Sequence, residues 1–294
     1  MHISIIMVLT YLIICARTAT VPWRYFQLNA RYFSADQGVF SKLYMDELIP
    51  ARWRLQQTID SDALTPRSYP VFLKPEWGQN AHGIHRADDA SQLMKLRTRL
   101  RQEPQRYLLQ EAAPGQREFE LFSIDSNSSD NSHDVFTITE AINDTEAFPI
   151  NSKYNKSTRY SHITSQFSAD EQKQIAGYLS EVGQFGISRM SVRADTNEDL
   201  VAGNFHVIEI NLFLPMPINL LDKTCGWTHH WRFIKGAMVS LARATKRINP
   251  AEIEHSVFTR MMLYDRKNTV SKVNLERSPK IAKIGQRRIQ SRNL

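Results

Sequence analysis

Cys15 and Cys225 are the only thiols in the 294 residues. Two cysteines cannot frame a disulfide-stapled fold, and neither sits in a zinc-finger pattern, so the simplest compartment is a reducing one. Long apolar runs are missing too. Residues 3–16 form an apolar run of 14, short of the roughly 20 that a membrane helix needs. No basic region precedes that run, which argues against a cleaved secretory signal. Arg17, Arg24 and Arg31 follow it before any acid. The run therefore reads in two ways. One is an anchor holding the rest of the chain at the cytoplasmic face of a membrane. The other is a buried strand left from an N-terminal α/β unit. There is no internal repeat.

Charge of one sign is abundant only at one end. The net charge is +7, but Arg266–Leu294 holds nine Lys or Arg against Glu276 alone. That tail carries +8, so the remaining 265 residues sum to −1. With no aromatic residues interleaved, this is the pattern of a solvated tail rather than of a specific nucleic-acid surface. The body has 42% hydrophobic residues, enough for the core of one large domain or two modest ones.

Strands and helices alternate irregularly along that body. A short helix is expected at 41–53 and a strand at 69–75, followed by a loop with two glycines at 76–84. A helix over 88–104 opens with acids and becomes basic toward its C-terminus, as the helix dipole favours. Strands follow at 106–112, 117–124 and 135–142. Ser168 and Glu171 have capping-box spacing before a helix that stops at Gly183. Residues 185–195 and 205–211 read as a hairpin across a polar link, and a last helix covers about 229–247. Clustered strands separated by single helices predict an α+β layered fold.

The segment VIEINLFLP, residues 207–215, is apolar except for Glu209 and Asn211. Two positions apart on a strand, these face the same side. A buried carboxylate needs a counter-charge or a cation, and a carboxylate with a carboxamide oxygen suits Mg²⁺ shared with phosphates. Arg189 and Arg193 share a face of the preceding strand, so a buried Arg–Glu pair is the competing reading. Lys74-Pro75 before the glycine loop could form an anion site from an ammonium and exposed backbone N–H groups. His82 and His85 flank that loop, while His229 and His230 lie beside Trp227 and Trp231. Neither histidine pair has a companion Cys or acid at zinc-ligand spacing, so both read as polar packing or substrate contacts. Cys225 reads as a buried or idle thiol.

The order of these pieces is a Lys-Pro strand, a glycine loop, Q-E-x-x-x-G-x-x-E, then R-x-x-x-R and E-I-N. It resembles the ATP-grasp superfamily, most closely its carboxylate–amine ligases such as D-alanine–D-alanine ligase, glutathione synthetase and glutamate ligases. The resemblance spans about Lys42 to Arg247. It implies an ATP-grasp domain over 42–250, preceded by the apolar segment 1–41 and followed by the basic tail 251–294. The fold implied is α+β, with two subdomains enclosing the nucleotide.

The resemblance also implies roles. Lys42 and Lys74 would contact the ATP phosphates, and the loop from Gly78 to Gly83 would close over them. Gln110 and Glu111 would lie at the adenine edge, and Glu118 at the ribose hydroxyls. Lys153 would approach the γ-phosphate, Arg189 would steady the acyl phosphate and the tetrahedral species, and Glu209 and Asn211 would hold Mg²⁺. The implied substrates are a small carboxylate and an amine, of amino-acid or peptide type, with ATP and Mg²⁺ as cofactors. The implied setting is cytoplasmic; a homodimer and a membrane contact through residues 3–16 stay open. Two departures stand out. Ser191 occupies the position where such ligases usually have an aspartate metal ligand. About 41 residues precede Lys42, where the family usually carries a substrate-binding α/β domain. The alternative to a ligase is therefore an ATP-grasp-like protein that binds nucleotide without turnover.

Overall fold

The computed structural model describes residues 3–34, 38–78, 81–103, 105–125, 133–151, 155–249 and 257–261. Among these, two antiparallel sheets organise the chain. The smaller has strand order β1-β4-β2-β3, from Gln57–Ile59, Tyr107–Glu111, Val71–Pro75 and His85–Ala87. The larger has order β7-β6-β5-β8-β9, from Thr158–His162, His133–Asn143, Arg117–Asp125, Ile187–Ala194 and His206–Asn211. The α+β class expected from the sequence is the class observed.

Helix α3, Ala90–Leu100, buries Leu93 and Leu100 on the small sheet, in a core with Val71, Leu73 and Leu109. It starts at Asp89, whose carboxylate accepts from the Gln92 backbone N–H at 2.8 Å. Satisfying that free N–H fixes the first helical residue at Ala90, two residues inside the expected span.

The large sheet has two differently used faces. Phe119, Leu121, Ile138, Met190, Val192 and Ile210 point to one side, against helix α4, Ala169–Val182. The predicted capping box is formed in full: Ser168 accepts from the Glu171 backbone, and Glu171 accepts from the Ser168 backbone N–H at 2.7 Å. The opposite face carries Glu118, Glu120, Phe122 and Ile124 along β5. Its far end, Phe122 and Ile124, packs under α1, Ile3–Arg17, and α6, Trp227–Arg247. Its near end, with the two glutamates, is left for the site.

The N-terminal apolar run is thus a helix, not a strand. Ile6, Tyr11 and Cys15 are buried against α6, and the Tyr11 hydroxyl lies 3.0 Å from Thr245 Oγ1. Ile5, Val8, Leu9, Leu12 and Ile13 are exposed on the outer face, so the run is apolar all round and carries no helical periodicity to read. Among the described residues, no helix is long and apolar enough to cross a membrane. Helix α2, Lys42–Glu47, is shorter than the span expected for it, and the polar link between β8 and β9 holds a helix, α5, Asn197–Ala202. Thr196 caps α5 through the Asp199 backbone N–H at 3.0 Å, and Gly203 ends it at a left-handed φ of 79°. The tail beyond residue 261 lies outside the described residues.

Candidate active site

A cavity of about 590 Å³ lies between the two sheets. The small sheet contributes Lys74 of β2 with Gln110 and Glu111 of β4. The large sheet contributes Glu118 and Glu120 of β5, Arg189, Ser191 and Arg193 of β8, and Glu209 of β9. Charged groups of both signs converge in a space of the size that small-molecule sites have.

Strand register explains the convergence. Glu120 pairs with Ser191, and Ser191 with Glu209, so three side chains on neighbouring strands form one row. The next row pairs Arg189 with Asn211, and another pairs Glu118 with Arg193. A bulge in β9 leaves Ile208 without a register partner, between the Ser191–Glu209 and Val192–Val207 pairs. The extra residue bends the strand and takes its carbonyl out of the ladder. The Ile208 carbonyl accepts instead from Gln110 Nε2 at 3.2 Å and Lys74 Nζ at 3.4 Å.

Lys74 is 4% exposed and also donates to Gln110 Oε1. Burial pushes its pKa down to about 8, and the Glu209 carboxylate opposes part of that shift. Burial likewise lowers Lys42, opposed chiefly by Glu209. Lys42 Nζ donates to the carbonyls of Pro75 and Gly78, each at 3.2 Å. It therefore pins the base of the glycine loop and does not line the main cavity. A Cβ at Gly78 would sit 3.0 Å from Pro75 Cγ, and Gly83 has a φ of 77°. Both positions suit glycine, one for close approach and one for a left-handed turn. Residues 79 and 80, inside the loop, and Lys153 lie outside the described residues.

Glu118 is pushed up to about 7, by burial first and then by the neighbouring Glu120. Glu120, 7% exposed, accepts from Ser191 Oγ at 2.9 Å and pairs with Arg189 Nε at 3.1 Å. Sequence reading passed over Glu120, although REFEL places it two residues beyond Glu118 on the same strand face. The Gln110 side chain is committed to Lys74, Gln57 and Ile208, so it positions the lysine as well as bordering the cavity. Asp195, at the end of the strand that carries Ser191, accepts from the Gln116 backbone N–H at 3.0 Å and holds the β4–β5 turn.

The donor set fits a hard cation. Glu209 and Glu120 flank Ser191 in one row, and Asn211 follows Glu209 on the same face. Two carboxylates and a carboxamide oxygen are ligands that Mg²⁺ takes. Glu120 supplies, from the next strand, a carboxylate that Ser191 lacks.

His162, Cys225 and His229 bring their ligand atoms within 4.8 Å of one another. His229 does have a companion thiol, four residues before it, and an imidazole from β7 that sequence proximity could not supply.

Residues 37–217 match the family described as D-ala D-ala ligase C-terminus. Among curated proteins, none matches. Among solved structures, the chain is similar to an L-amino acid ligase from Bacillus licheniformis, at 17% identity and a TM-score of 0.45, over 72% of this chain and 49% of that one. It is also similar to a D-alanine–D-alanine ligase from Bacillus anthracis complexed with ATP, at 12% identity and a TM-score of 0.44, over 77% and 68%. A third is the VanG D-Ala:D-Ser ligase from Enterococcus faecalis, at 13% identity and a TM-score of 0.46, over 74% and 68%. The chain thus spans about half the length of the first of these.

Proposed function

The chain belongs to the D-Ala–D-Ala ligase C-terminal family and has the α+β ATP-grasp fold, and from that premise we propose that it is an ATP-dependent carboxylate–amine ligase. The observation that carries this reading is the cavity itself, where Lys74, Arg189, Glu118, Glu120 and Glu209 face one another across two sheets. Transfer of a phosphoryl group is mostly positioning and charge neutralisation.

In this reading ATP lies between the sheets. Lys74 contacts its phosphates, the Lys42-pinned loop from Gly78 to Gly83 covers them, and Glu118 binds the ribose. Glu111 borders the adenine end. The substrate carboxylate attacks the γ-phosphorus; a P–O bond forms to the carboxylate as the bond to ADP breaks. The amine then adds to the acyl phosphate, a C–N bond forms, and inorganic phosphate leaves with the C–O electron pair. The amine proton goes to solvent. Arg189 is placed to stabilise the oxyanion between these steps, and its pairing with Glu120 holds the guanidinium in place. Glu209, Asn211 and Glu120 would hold Mg²⁺, which when bound neutralises phosphate charge. Substrates of amino-acid or peptide type suit the size of the cavity. The proposed ATP-grasp domain is 42–250, with 1–41 and 251–294 as flanking segments.

Ser191 favours a second reading, in which nucleotide binds without ligation. One experiment separates the two: Mg²⁺-dependent ATP binding, then ADP release with pooled amino acids, for the parent, Glu209→Ala and Lys74→Ala. A ligase releases ADP only when amino acids and Mg²⁺ are both present, and Glu209→Ala loses at least about tenfold of that rate. Binding with no metal-dependent turnover in the parent establishes the second reading. Unchanged ATP binding in Lys74→Ala overturns both.

A further inference from the structure

We propose that His162, Cys225 and His229 form a binding site for Zn²⁺, separate from the Mg²⁺–phosphate site and bordering the same cavity. Their ligand atoms lie within 4.8 Å of one another. Tetrahedral coordination with Zn–N near 2.0 Å and Zn–S near 2.3 Å sets ligand separations of roughly 3.3–3.6 Å. Closing that gap takes a contraction of at most a little over about 1 Å, within reach of side-chain adjustment at the exposed His229 and the half-buried His162 and Cys225. Two imidazoles and a thiol form a soft-to-borderline donor set, suited to Zn²⁺ and foreign to Mg²⁺.

Two further observations point to a ligand. Nε2 of His162 is buried and makes no hydrogen bond to any described residue. A buried ring nitrogen left in that state is costly unless something binds it. Second, the surroundings hold the three groups in place. Asp222, 2% exposed, accepts from the His162 backbone N–H at 2.8 Å, from Thr224 N at 2.8 Å and from Thr224 Oγ1 at 2.6 Å. One buried acid thus ties the edge strand to the loop that carries the thiol, as supporting residues around metal ligands do. Three ligands leave the fourth position of a tetrahedral zinc open.

Its location follows from strand register. His162 pairs with Thr139, and Thr139 with Glu120, so His162 belongs to the Glu120–Ser191–Glu209 row. Two strand spacings put its backbone about 10 Å from that of Glu120. Tyr160, two residues earlier on the same face of β7, lines the cavity, as does Leu221 just before Asp222. The three groups therefore lie beside the end of the cavity bounded by Tyr160 and Leu221, next to its lining rather than within it.

The test uses Co²⁺ as a spectroscopic substitute for Zn²⁺, titrated into the purified full chain after chelator treatment. A thiolate-to-cobalt charge-transfer band is expected that saturates at one Co²⁺ per chain and that Zn²⁺ bleaches. Cys225→Ser should abolish the band, and His229→Gln, at an exposed position, should weaken Co²⁺ binding by about 10- to 100-fold. Glu209→Ala should leave the band unchanged. A parent without the band, or a band that persists in Cys225→Ser, overturns the site. Loss of the band in Glu209→Ala would mean that the ion sits with the phosphates, and overturns it equally. A chain that shows the band but does not bind ATP keeps the zinc site and loses the ligase reading.

Discussion

Lys74 shows how one residue couples folding to function. Its ammonium is buried without a full counter-charge, so its pKa falls to about 8. An unfolded chain keeps that proton up to about pH 10.5. Between pH 8 and 10.5 the unfolded state therefore binds more protons than the folded state, and stability of the nucleotide-free protein rises with pH across that window. The rise attributable to this lysine is at most about 3 kcal/mol. Denaturant titrations at both ends of the window should show it in the parent and not in Lys74→Met; equal slopes would refute the assignment. In the ligase reading phosphate supplies the missing counter-charge, so the same group that weakens the empty site strengthens the filled one. Lys74 was legible because a lysine closing an apolar strand stands out. Glu120 was not, since its importance comes from facing Ser191 across a strand pair 71 residues apart in sequence.

At the scale of elements, the β4–β5 turn decides where Glu118 and Glu120 point. Gly115 has a φ of 109°, and a Cβ there would meet three backbone atoms of Ala194 at 3.0 Å. Gly115→Ala should cost more than about 1 kcal/mol and shift the start of β5 against β8, weakening nucleotide binding along with stability. A thermal melt and an ATP titration on the same sample check this; a variant that loses stability but binds ATP as the parent does would free the turn from any role in the site. Strands β2, β4, β5, β6, β8 and β9 were readable, β5 from its alternation and the others from apolar or β-branched runs bounded by turns. Strands β1, β3 and β7 were not. They have three to five residues, mostly half-buried, and are held by pairing rather than by a pattern of their own. The consequence was greatest at β7, which carries His162. Cys225 and His229 are four residues apart, but their third partner arrives only through the sheet.

At the scale of the whole molecule, polar contacts at the cavity tie the two sheets together. Gln110 Nε2 donates to Gln57 at 3.0 Å within the small sheet and to Ile208 O at 3.2 Å across the gap. Lys74 bonds Gln110 and reaches the same carbonyl at 3.4 Å. A bridge between Arg54 and Val207 adds a backbone connection. Arg86 of β3 also donates to the Phe148 carbonyl at 3.0 Å, beyond the end of β6, and the cavity between the sheets depends on such contacts remaining satisfied. Gln110→Leu leaves a buried ammonium and a buried carbonyl short of partners, and should cost about 2–4 kcal/mol. Adding Lys74→Met removes the unpaired charge as well, so the double variant should be more stable than Gln110→Leu alone, with a coupling energy of about 1–3 kcal/mol. A denaturant double-mutant cycle measures that coupling. Additive losses would show that Gln110 does not act through Lys74. Both Gln110→Leu and the double variant should bind ATP poorly, the first because the lysine is misplaced and the second because it is gone. Recovered stability without recovered binding is the pattern expected of a polar cluster kept for a ligand rather than for the fold.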